Sequence, residues 1–189
     1  MSSTNRAYFQ SMYESDPDPW NFATSPYERR KYELTVDALP RAHFRNVFEP
    51  GCSIGVLTEL LAPRCGRLLA SDIVPGALES ATIRLRKFDN VVIERRAIPE
   101  EWPKELFDLV VLSEIAYYFD ASTLRRIVAN VVESTDAGSN VIGVHWRGET
   151  NYPLSGDAAH EVIDENVRLF RVMHYVEEEF VLDLWERVI

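Results

Sequence analysis

Short β-rich segments alternate with amphipathic helical stretches along most of this 189-residue chain. The apolar residues Leu124, Ile127 and Val128 show the i, i+3, i+4 spacing of one helix face. Strands are predicted at five segments: Asn46–Glu49, Arg67–Ser71, Val91–Arg95, Phe107–Leu112 and Asn140–Trp146. Strands that are joined by helices run parallel with right-handed crossovers. The alternation therefore predicts an α/β fold, a doubly wound and mostly parallel sheet with helices on both faces.

The C-terminal end of the chain breaks this alternation. Leu169–Val176 and Phe180–Val188 are both strand-like, and only Glu177–Glu179 lies between them. Three residues are too few for a crossover helix, so we expect an antiparallel hairpin here. With this hairpin the predicted sheet has seven strands.

The composition is that of a globular protein, with 46% hydrophobic and 26% charged residues. A chain of 189 residues fits a single domain, with an N-terminal segment at 1–22 and a core at 23–189. The chain has 20 Lys and Arg residues but 30 Asp and Glu residues, which gives a net charge of −10. Such an acidic surface disfavours nucleic acid and anionic membranes as partners.

Cysteine and histidine usage gives no indication of a metal or a disulfide framework. Cys52 and Cys65 form no CxxC pair, which excludes a cysteine-rich zinc site. Three histidines show no ligand spacing with carboxylates or cysteines: His43, His160 and His174. A capping and surface role is assigned to Asp157–Glu161. Because the sequence shows no apolar N-terminal stretch and no run of membrane length, we expect a cytoplasmic protein. For the oligomeric state we expect a monomer or a weak homodimer.

A glycine loop follows the first predicted strand. It contains Gly51 and Gly55 and leads into an apolar helix that starts near Val56. A glycine directly after a strand allows a tight turn and the close approach of a ligand to the backbone. The second strand ends at Asp72, 23 residues after Glu49, where a carboxylate can accept both hydroxyls of a ribose. The alternative is that Gly51 is only a turn residue and Asp72 only a helix cap.

The details of this loop favour a cationic nucleoside over a dinucleotide. A dinucleotide site has the pattern G-x-G-x-x-G, which places pyrophosphate on a helix N-terminus. Here Ser53 stands two residues after Gly51, and the acidic Glu49 precedes the loop. A carboxylate at this place would repel pyrophosphate, which argues against a nicotinamide dehydrogenase.

The loop resembles the first motif of the class I S-adenosylmethionine-dependent methyltransferases, acid-x-Gly-x-Gly-x-Gly. Glu49, Gly51 and Gly55 match it, and Ser53 takes the place of the middle glycine. The resemblance implies a Rossmann-like fold, S-adenosylmethionine as cofactor, ribose binding by Asp72 and adenine packing by Ile73. It assigns cofactor contacts to these residues: Glu49, Gly51, Cys52, Gly55, Asp72, Ile73, Ala97, Ile98 and Ser113.

Further segments resemble the nodulation protein S (NodS) family of N-methyltransferases. They are Asp18–Trp20, Ser25–Glu28, Ser113–Tyr118 and His145–Arg147. That family methylates the free amine of a de-acetylated glucosamine unit in a chitin-like oligosaccharide. The resemblance therefore implies an amino-sugar or similar small-amine acceptor. The alternatives are O- or C-methylation of another metabolite, or a cofactor-binding module that regulates a partner without catalysis.

The tips of the fourth and fifth strands carry the candidate catalytic residues Glu114, Tyr118 and His145. Glu114 would orient a cationic amine, Tyr118 would hydrogen-bond the substrate or the sulfonium region, and His145 would accept a proton. The alternative for each is a structural role. Neighbouring residues are candidates for acceptor binding: Tyr117, Trp146 and Arg147. Arg147 would pair with an acid of the substrate or of the protein itself.

The N-terminal segment is predicted to close over the cofactor as a lid. Trp20 and Tyr27 would cover the methionine portion, and Arg29 or Arg30 would pair with its carboxylate. A solvated helix face is the alternative for the two arginines. Such a lid would keep water away from the sulfonium and admit the acceptor last.

Overall fold

The computed structural model describes residues 3–189. Two compact units divide it. We call Asn5–Ala97 the N-terminal unit, and Ile98–Ile189 together with Ser3 and Thr4 the C-terminal unit. Residues 1 and 2, which belong to the predicted lid segment and to the expected N-terminus, lie outside the described residues.

The N-terminal unit has three parallel strands and four α-helices. In chain order these are α1 (Arg6–Ser15), α2 (Pro26–Asp37), β1 (Phe44–Pro50), α3 (Val56–Leu61), β2 (Cys65–Asp72), α4 (Pro75–Leu85) and β3 (Val91–Arg95), with a short 3-10 turn at Ala62–Arg64. β2 pairs with β1 on one side and with β3 on the other, so the strand order is β3-β2-β1. The carboxyl ends of all three strands therefore lie at one edge of the sheet.

The C-terminal unit contains the other four strands. In chain order it has β4 (Phe107–Ser113), a 3-10 turn (Ala116–Tyr118), α5 (Ala121–Glu133), β5 (Thr135–Trp146), α6 (Gly156–Asp164), β6 (Leu169–Val176) and β7 (Phe180–Arg187). The strand order is β4-β5-β7-β6. β4 and β5 are parallel, whereas β7 is antiparallel to both of its neighbours.

The predicted fold class is confirmed: a seven-stranded, mostly parallel sheet with an antiparallel C-terminal hairpin. The sheet centre is apolar, and every residue of β4 is buried. α2 begins as expected, with the Ser25 side chain accepting from the Glu28 N–H and Pro26 in the first turn. Among residues 3–189, no helix combines the length and the apolar character that crossing a membrane requires.

Two elements differ from the predictions. α1 lies in a segment for which no periodicity was expected, and none of its described residues is buried. Its start is fixed instead by Asn5, whose side chain accepts from the Tyr8 N–H. β5 begins at Thr135, five residues before the predicted start, because Thr135 pairs with Phe107 ahead of an irregular, bulge-like stretch in which Gly138 has a φ of +85°.

Candidate functional site

The glycine loop after β1 is held in a left-handed conformation at three positions. φ is +75° at Gly51, +52° at Ser53 and +78° at Gly55. The N–H groups of Gly51 and Cys52 both donate to the carbonyl of Ser71, over 2.7 and 2.9 Å, which fixes the loop against the end of β2. Ser53 thus adopts the conformation that favours glycine, which explains how it replaces the usual glycine of the motif at a strain cost.

Glu49 ends in the interior beside this loop. Its side chain is 2% exposed, and its Oε2 has no hydrogen-bond partner within the described chain. Burial raises the pKa of Glu49 to about 8, the Thr58 hydroxyl opposes the rise, and the nearby Asp72 carboxyl adds to it. A buried carboxyl oxygen without a donor would be stabilised by an ammonium or another cation. The residues present therefore fit a cationic ligand at the loop.

Asp72 closes the loop from the end of β2. Its Oδ2 accepts from the Ser53 N–H over 3.0 Å, and its Oδ1 accepts from the Val74 N–H over 2.9 Å. Burial raises the pKa of Asp72, while these backbone donors oppose the rise. Asp72 is not the cap of α4, because Val74 holds that position. The Ile73 N–H is a further backbone donor to this carboxylate, and Ile73 itself is half-buried.

Tyr13 of α1 contacts the glycine loop, and no sequence pattern predicted this contact. Its hydroxyl is hydrogen-bonded to Ser53 Oγ. Its ring meets Trp20 edge-on with 5.6 Å between ring centroids, and Trp20 stacks on Phe22 at the same separation. Burial raises the pKa of Tyr13, so the phenol stays protonated. The predicted lid residue Trp20 thus belongs to an aromatic cluster that is linked to the loop.

The other residues that were predicted to contact the cofactor lie on α2, in the glycine loop and after β3. Arg29 and Arg30 are exposed on α2, and Arg29 forms a surface ion pair with Glu33 at 3.9 Å. Cys52 is buried within the loop, and burial raises its thiol pKa. Ala97 and Ile98 are half-buried and follow the end of β3.

At the tip of β4, Glu114 also adopts a left-handed conformation, with φ of +52°. Its N–H donates to the Val144 carbonyl, and its Oε2 accepts from the Trp146 N–H over 3.2 Å and from the Tyr117 hydroxyl. Burial raises the pKa of Tyr117, and the Glu114 charge adds to the rise, so this phenol remains a donor. Strained backbone of this kind is concentrated at functional sites. Ser113, the last residue of β4, is buried.

Three tyrosines pack together beside this carboxylate. Tyr117 stacks on Tyr152 at 5.2 Å, and Tyr118 meets Tyr152 edge-on at 4.6 Å. Tyr152 belongs to the loop Arg147–Ser155, which lines a cavity of about 610 Å³. Trp146, just before this loop, is 37% exposed. The sequence did not indicate Tyr152, because its contacts are made with residues more than thirty positions away.

Arg147 pairs with an acid of the protein. Its Nε lies 3.0 Å from both carboxylate oxygens of Asp157, and its Nη1 donates to the Glu177 carbonyl over 2.8 Å. The first of the two predicted partners, an acid of the substrate, has no support from these contacts. Within residues 3–189, no three His, Cys, Asp or Glu side chains are arranged to hold a metal ion.

His145 lies at the end of β5 and is completely buried. Its Nε2 accepts from the Ala116 N–H over 3.0 Å, and its Nδ1 is 2.8 Å from Nε2 of His160. Both ring nitrogens are engaged, so the contacts do not favour direct proton acceptance from a ligand. The surface role expected for His160 is wrong, since its side chain is 2% exposed and its Nδ1 lies 2.7 Å from Asp183 Oδ2.

The doubly wound sheet with an antiparallel C-terminal hairpin, together with the acid–glycine loop after β1, defines the class I methyltransferase fold. A family model described as Nodulation protein S (NodS) matches residues 5–150. The chain belongs to the NodS family.

Known members of the family are similar to this chain over part of their length. Nodulation protein S of Rhizobium tropici is 32% identical over 127 residues, which are 66% of this chain and 53% of that protein. Nodulation protein S of Bradyrhizobium diazoefficiens is 32% identical over 117 residues, which are 61% of this chain and 56% of that protein. The chain thus spans about half the length of the curated relatives that it matches.

A solved structure supports the fold over nearly the whole chain. It is the N-methyltransferase NodS from Bradyrhizobium japonicum WM9 in complex with S-adenosyl-L-homocysteine. The TM-score is 0.85 at 24% sequence identity, and the match covers 94% of this chain and 97% of that chain.

Proposed function

We propose that this chain is an S-adenosylmethionine-dependent N-methyltransferase that acts on the free amine of a de-acetylated amino sugar or oligosaccharide. The observation that carries the cofactor assignment is Glu49, a buried carboxyl with an unpartnered oxygen beside a left-handed glycine loop. Family membership and the NodS N-methyltransferase of similar fold support the reaction type.

The N-terminal unit would hold the cofactor through residues with separate tasks. Glu49 offers its Oε2 to a cation, and Gly51 and Gly55 allow the positive φ angles through which the loop turns tightly after β1. Asp72, held at the end of β2 by backbone donors, would accept hydrogen bonds from the ribose hydroxyls. When bound, S-adenosylmethionine would supply an electrophilic methyl group on a positively charged sulfur.

The C-terminal unit would hold the acceptor. Glu114 presents a carboxylate that is oriented by the Tyr117 hydroxyl and the Trp146 N–H. This carboxylate can orient an ammonium group and take its proton, which frees the nitrogen lone pair for bond formation. Tyr118, Tyr152 and Trp146 supply aromatic surface of the kind on which the faces of sugar rings pack. An amino sugar could place its ammonium group on the carboxylate and the face of its ring on the aromatic surface.

The cofactor assignment is tested by calorimetric titration with S-adenosylhomocysteine, with NAD as the control ligand. We expect the wild type to bind the sulfur nucleoside and not NAD. Asp72→Ala should weaken this binding by about 10- to 100-fold, because two hydroxyl contacts to a charged group are lost. Equal binding of both ligands, or an unaffected Asp72→Ala variant, would refute the cofactor assignment.

The acceptor assignment is tested with a pair of oligosaccharides that differ in one acetyl group. Chitin oligomers with one free amine are compared with the fully N-acetylated oligomers of the same length. We expect methyl transfer, followed by mass spectrometry of the product, to the free-amine oligomer alone. Methylation of both oligomers would indicate O-methylation. Cofactor binding without transfer to either oligomer would contradict the proposed acceptor and leave the cofactor assignment in place.

A further inference from the structure

A chain of buried hydrogen bonds runs from the backbone of the turn after β4 to β7. The Ala116 N–H donates to His145 Nε2 over 3.0 Å, His145 Nδ1 lies 2.8 Å from His160 Nε2, and His160 Nδ1 lies 2.7 Å from Asp183 Oδ2. His145 and Asp183 are 0% exposed, and His160 is 2% exposed. We call these four groups the His–His–Asp relay. Burial of three titratable side chains is costly unless their polar atoms are hydrogen-bonded, as they are here.

The backbone end of the relay fixes where each proton lies. An amide N–H can only donate, so Nε2 of His145 must be unprotonated and its single proton must lie on Nδ1. His145 Nδ1–H then donates to His160 Nε2, which leaves the proton of His160 on Nδ1, facing Asp183. Both imidazoles are therefore neutral, and each is restricted to one tautomer.

The carboxylate end demands the same direction. Asp183 accepts hydrogen bonds from His160 and Arg171 at Oδ2 and from His174 at Oδ1, and the Arg171 guanidinium lies 3.0 Å from Oδ2, which stabilises the ionised carboxylate. Ionised Asp183 can only accept, so His160 Nδ1 must donate. One set of tautomers thus satisfies the hydrogen bonds at both ends of the relay.

The sheet leaves room for this arrangement. A Cβ added at Gly143 of β5 would lie 3.3 Å from His160 Nε2 and 3.0 Å from Cζ3 of Trp185. Trp185 in turn donates from Nε1 to Asp164 over 2.6 Å. The absence of a side chain at Gly143 therefore allows the His160 imidazole to reach His145 through the interior.

We propose that His160 and Asp183 are positioning residues for methyl transfer, which act by locking the turn Ala116–Tyr118 through His145. This turn carries Tyr117, which orients Glu114, and Tyr118, which packs on Tyr152. The inference rests on the proposed function, since it assigns the turn to the acceptor side. Neither residue touches the acceptor, so the effect is on the geometry of the groups that do.

The relay is tested with a matched pair of variants at one position. His160→Leu removes the acceptor for His145 Nδ1–H, whereas His160→Gln places a carbonyl oxygen where Nε2 lies. We expect kcat to fall up to about 100-fold in His160→Leu, because a displacement of about 1 Å in groups near the reacting atoms can lower the reaction rate by this factor. His160→Gln should recover part of this loss, because it restores the acceptor for His145 but not the donor to Asp183. The dissociation constant for S-adenosylhomocysteine should stay unchanged in both, because the glycine loop is intact.

A second measurement does not depend on the acceptor. Nitrogen-15 NMR of the histidine side chains should show the Nδ1–H tautomer for His145 and His160 in the wild type. In His160→Leu, hydrogen exchange of the Ala116 amide should accelerate, while the amides of α4 serve as the internal reference. His174→Gln removes an imidazole from the exposed side of the same carboxylate and should leave the exchange of Ala116 unchanged.

The outcomes separate the relay from the proposed function. Equal kcat in the Leu and Gln variants, or an Ala116 amide that exchanges equally in all variants, would overturn the relay. A wild type that binds S-adenosylhomocysteine but methylates no amino sugar would refute the proposed acceptor. In that case the tautomers and the exchange rates still decide whether the relay holds the turn.

Discussion

Gly55 lies where a side chain would meet both strain and steric conflict. Its φ is +78°, and a Cβ there would lie 2.9 Å from Leu85 Cδ1 and 3.2 Å from Ala81 Cβ, both on α4. We expect Gly55→Ala to lower the free energy of unfolding by about 1 to 3 kcal/mol, from the left-handed conformation together with overpacking.

Gly76 of α4 provides the matched control, since its added Cβ would meet no described atom within 4 Å beyond its chain neighbours and the backbone of its own helix, and its φ is not in the left-handed region. Gly76→Ala should raise the free energy of unfolding by up to about 1 kcal/mol, because alanine favours the helix. Urea unfolding of both variants measures the difference. Similar values for the two substitutions would contradict the role assigned to Gly55.

For single residues, sequence patterns pointed to those whose contacts are local and missed those whose contacts are distant. Glu49, Gly51 and Asp72 stand at fixed places around one strand–loop–helix–strand unit, so their spacing was informative. His160 finds its partners 15 and 23 residues away, and Tyr13 finds Ser53 40 residues away. No periodicity or spacing rule connects such pairs, because only the folded sheet brings them together.

α1 shows the corresponding limit for an element. None of its residues is fully buried, and its half-buried side chains, Phe9, Met12 and Tyr13, form only one i, i+3, i+4 set within ten residues. α1 is held in place by single polar and aromatic contacts. The Tyr13 hydroxyl is hydrogen-bonded to Ser53, and the Tyr13 ring packs on Trp20. The buried strands were predicted well for the opposite reason, since continuous apolar runs such as β4 permit little else.

The attachment of α1 leads to a prediction about the proposed lid. Tyr13→Phe removes the hydroxyl that links α1 to the glycine loop and keeps the ring that packs on Trp20. If the segment closes over the cofactor, the affinity for S-adenosylhomocysteine should fall about fivefold, the value of one hydrogen bond. Tyr8→Phe changes a more exposed tyrosine of the same helix and should leave this affinity unchanged. Calorimetry that finds equal affinity for the two variants would contradict the lid.

For the whole molecule, the buried carboxyl of Glu49 has two opposite effects. Its burial lowers the stability of the fold at high pH, and the same carboxyl is proposed to bind the cofactor. The pKa of Glu49 is about 8 in the folded protein and about 4.5 in an unfolded chain. Between these values the folded protein holds a proton that the unfolded chain has released. The stability contributed by this proton is complete below about pH 4.5 and is lost as the pH rises through about 8. Above that pH the folded protein carries a buried carboxylate charge, which is costly.

Glu49→Gln should therefore act in opposite directions on stability and on binding. At pH 9 it should raise the free energy of unfolding by about 3 to 5 kcal/mol relative to wild type, and this gain should disappear near pH 5. Glu59 is the matched control, because Lys87 and Arg84 lower the pKa of its more exposed carboxyl. Glu59→Gln should lower stability at pH 9, by less than about 1 kcal/mol. Since the free oxygen of Glu49 is proposed to meet a cation, Glu49→Gln should also weaken S-adenosylhomocysteine binding at least about 100-fold. A variant that is stabilised and still binds with wild-type affinity would show that the buried carboxyl serves some purpose other than the cofactor.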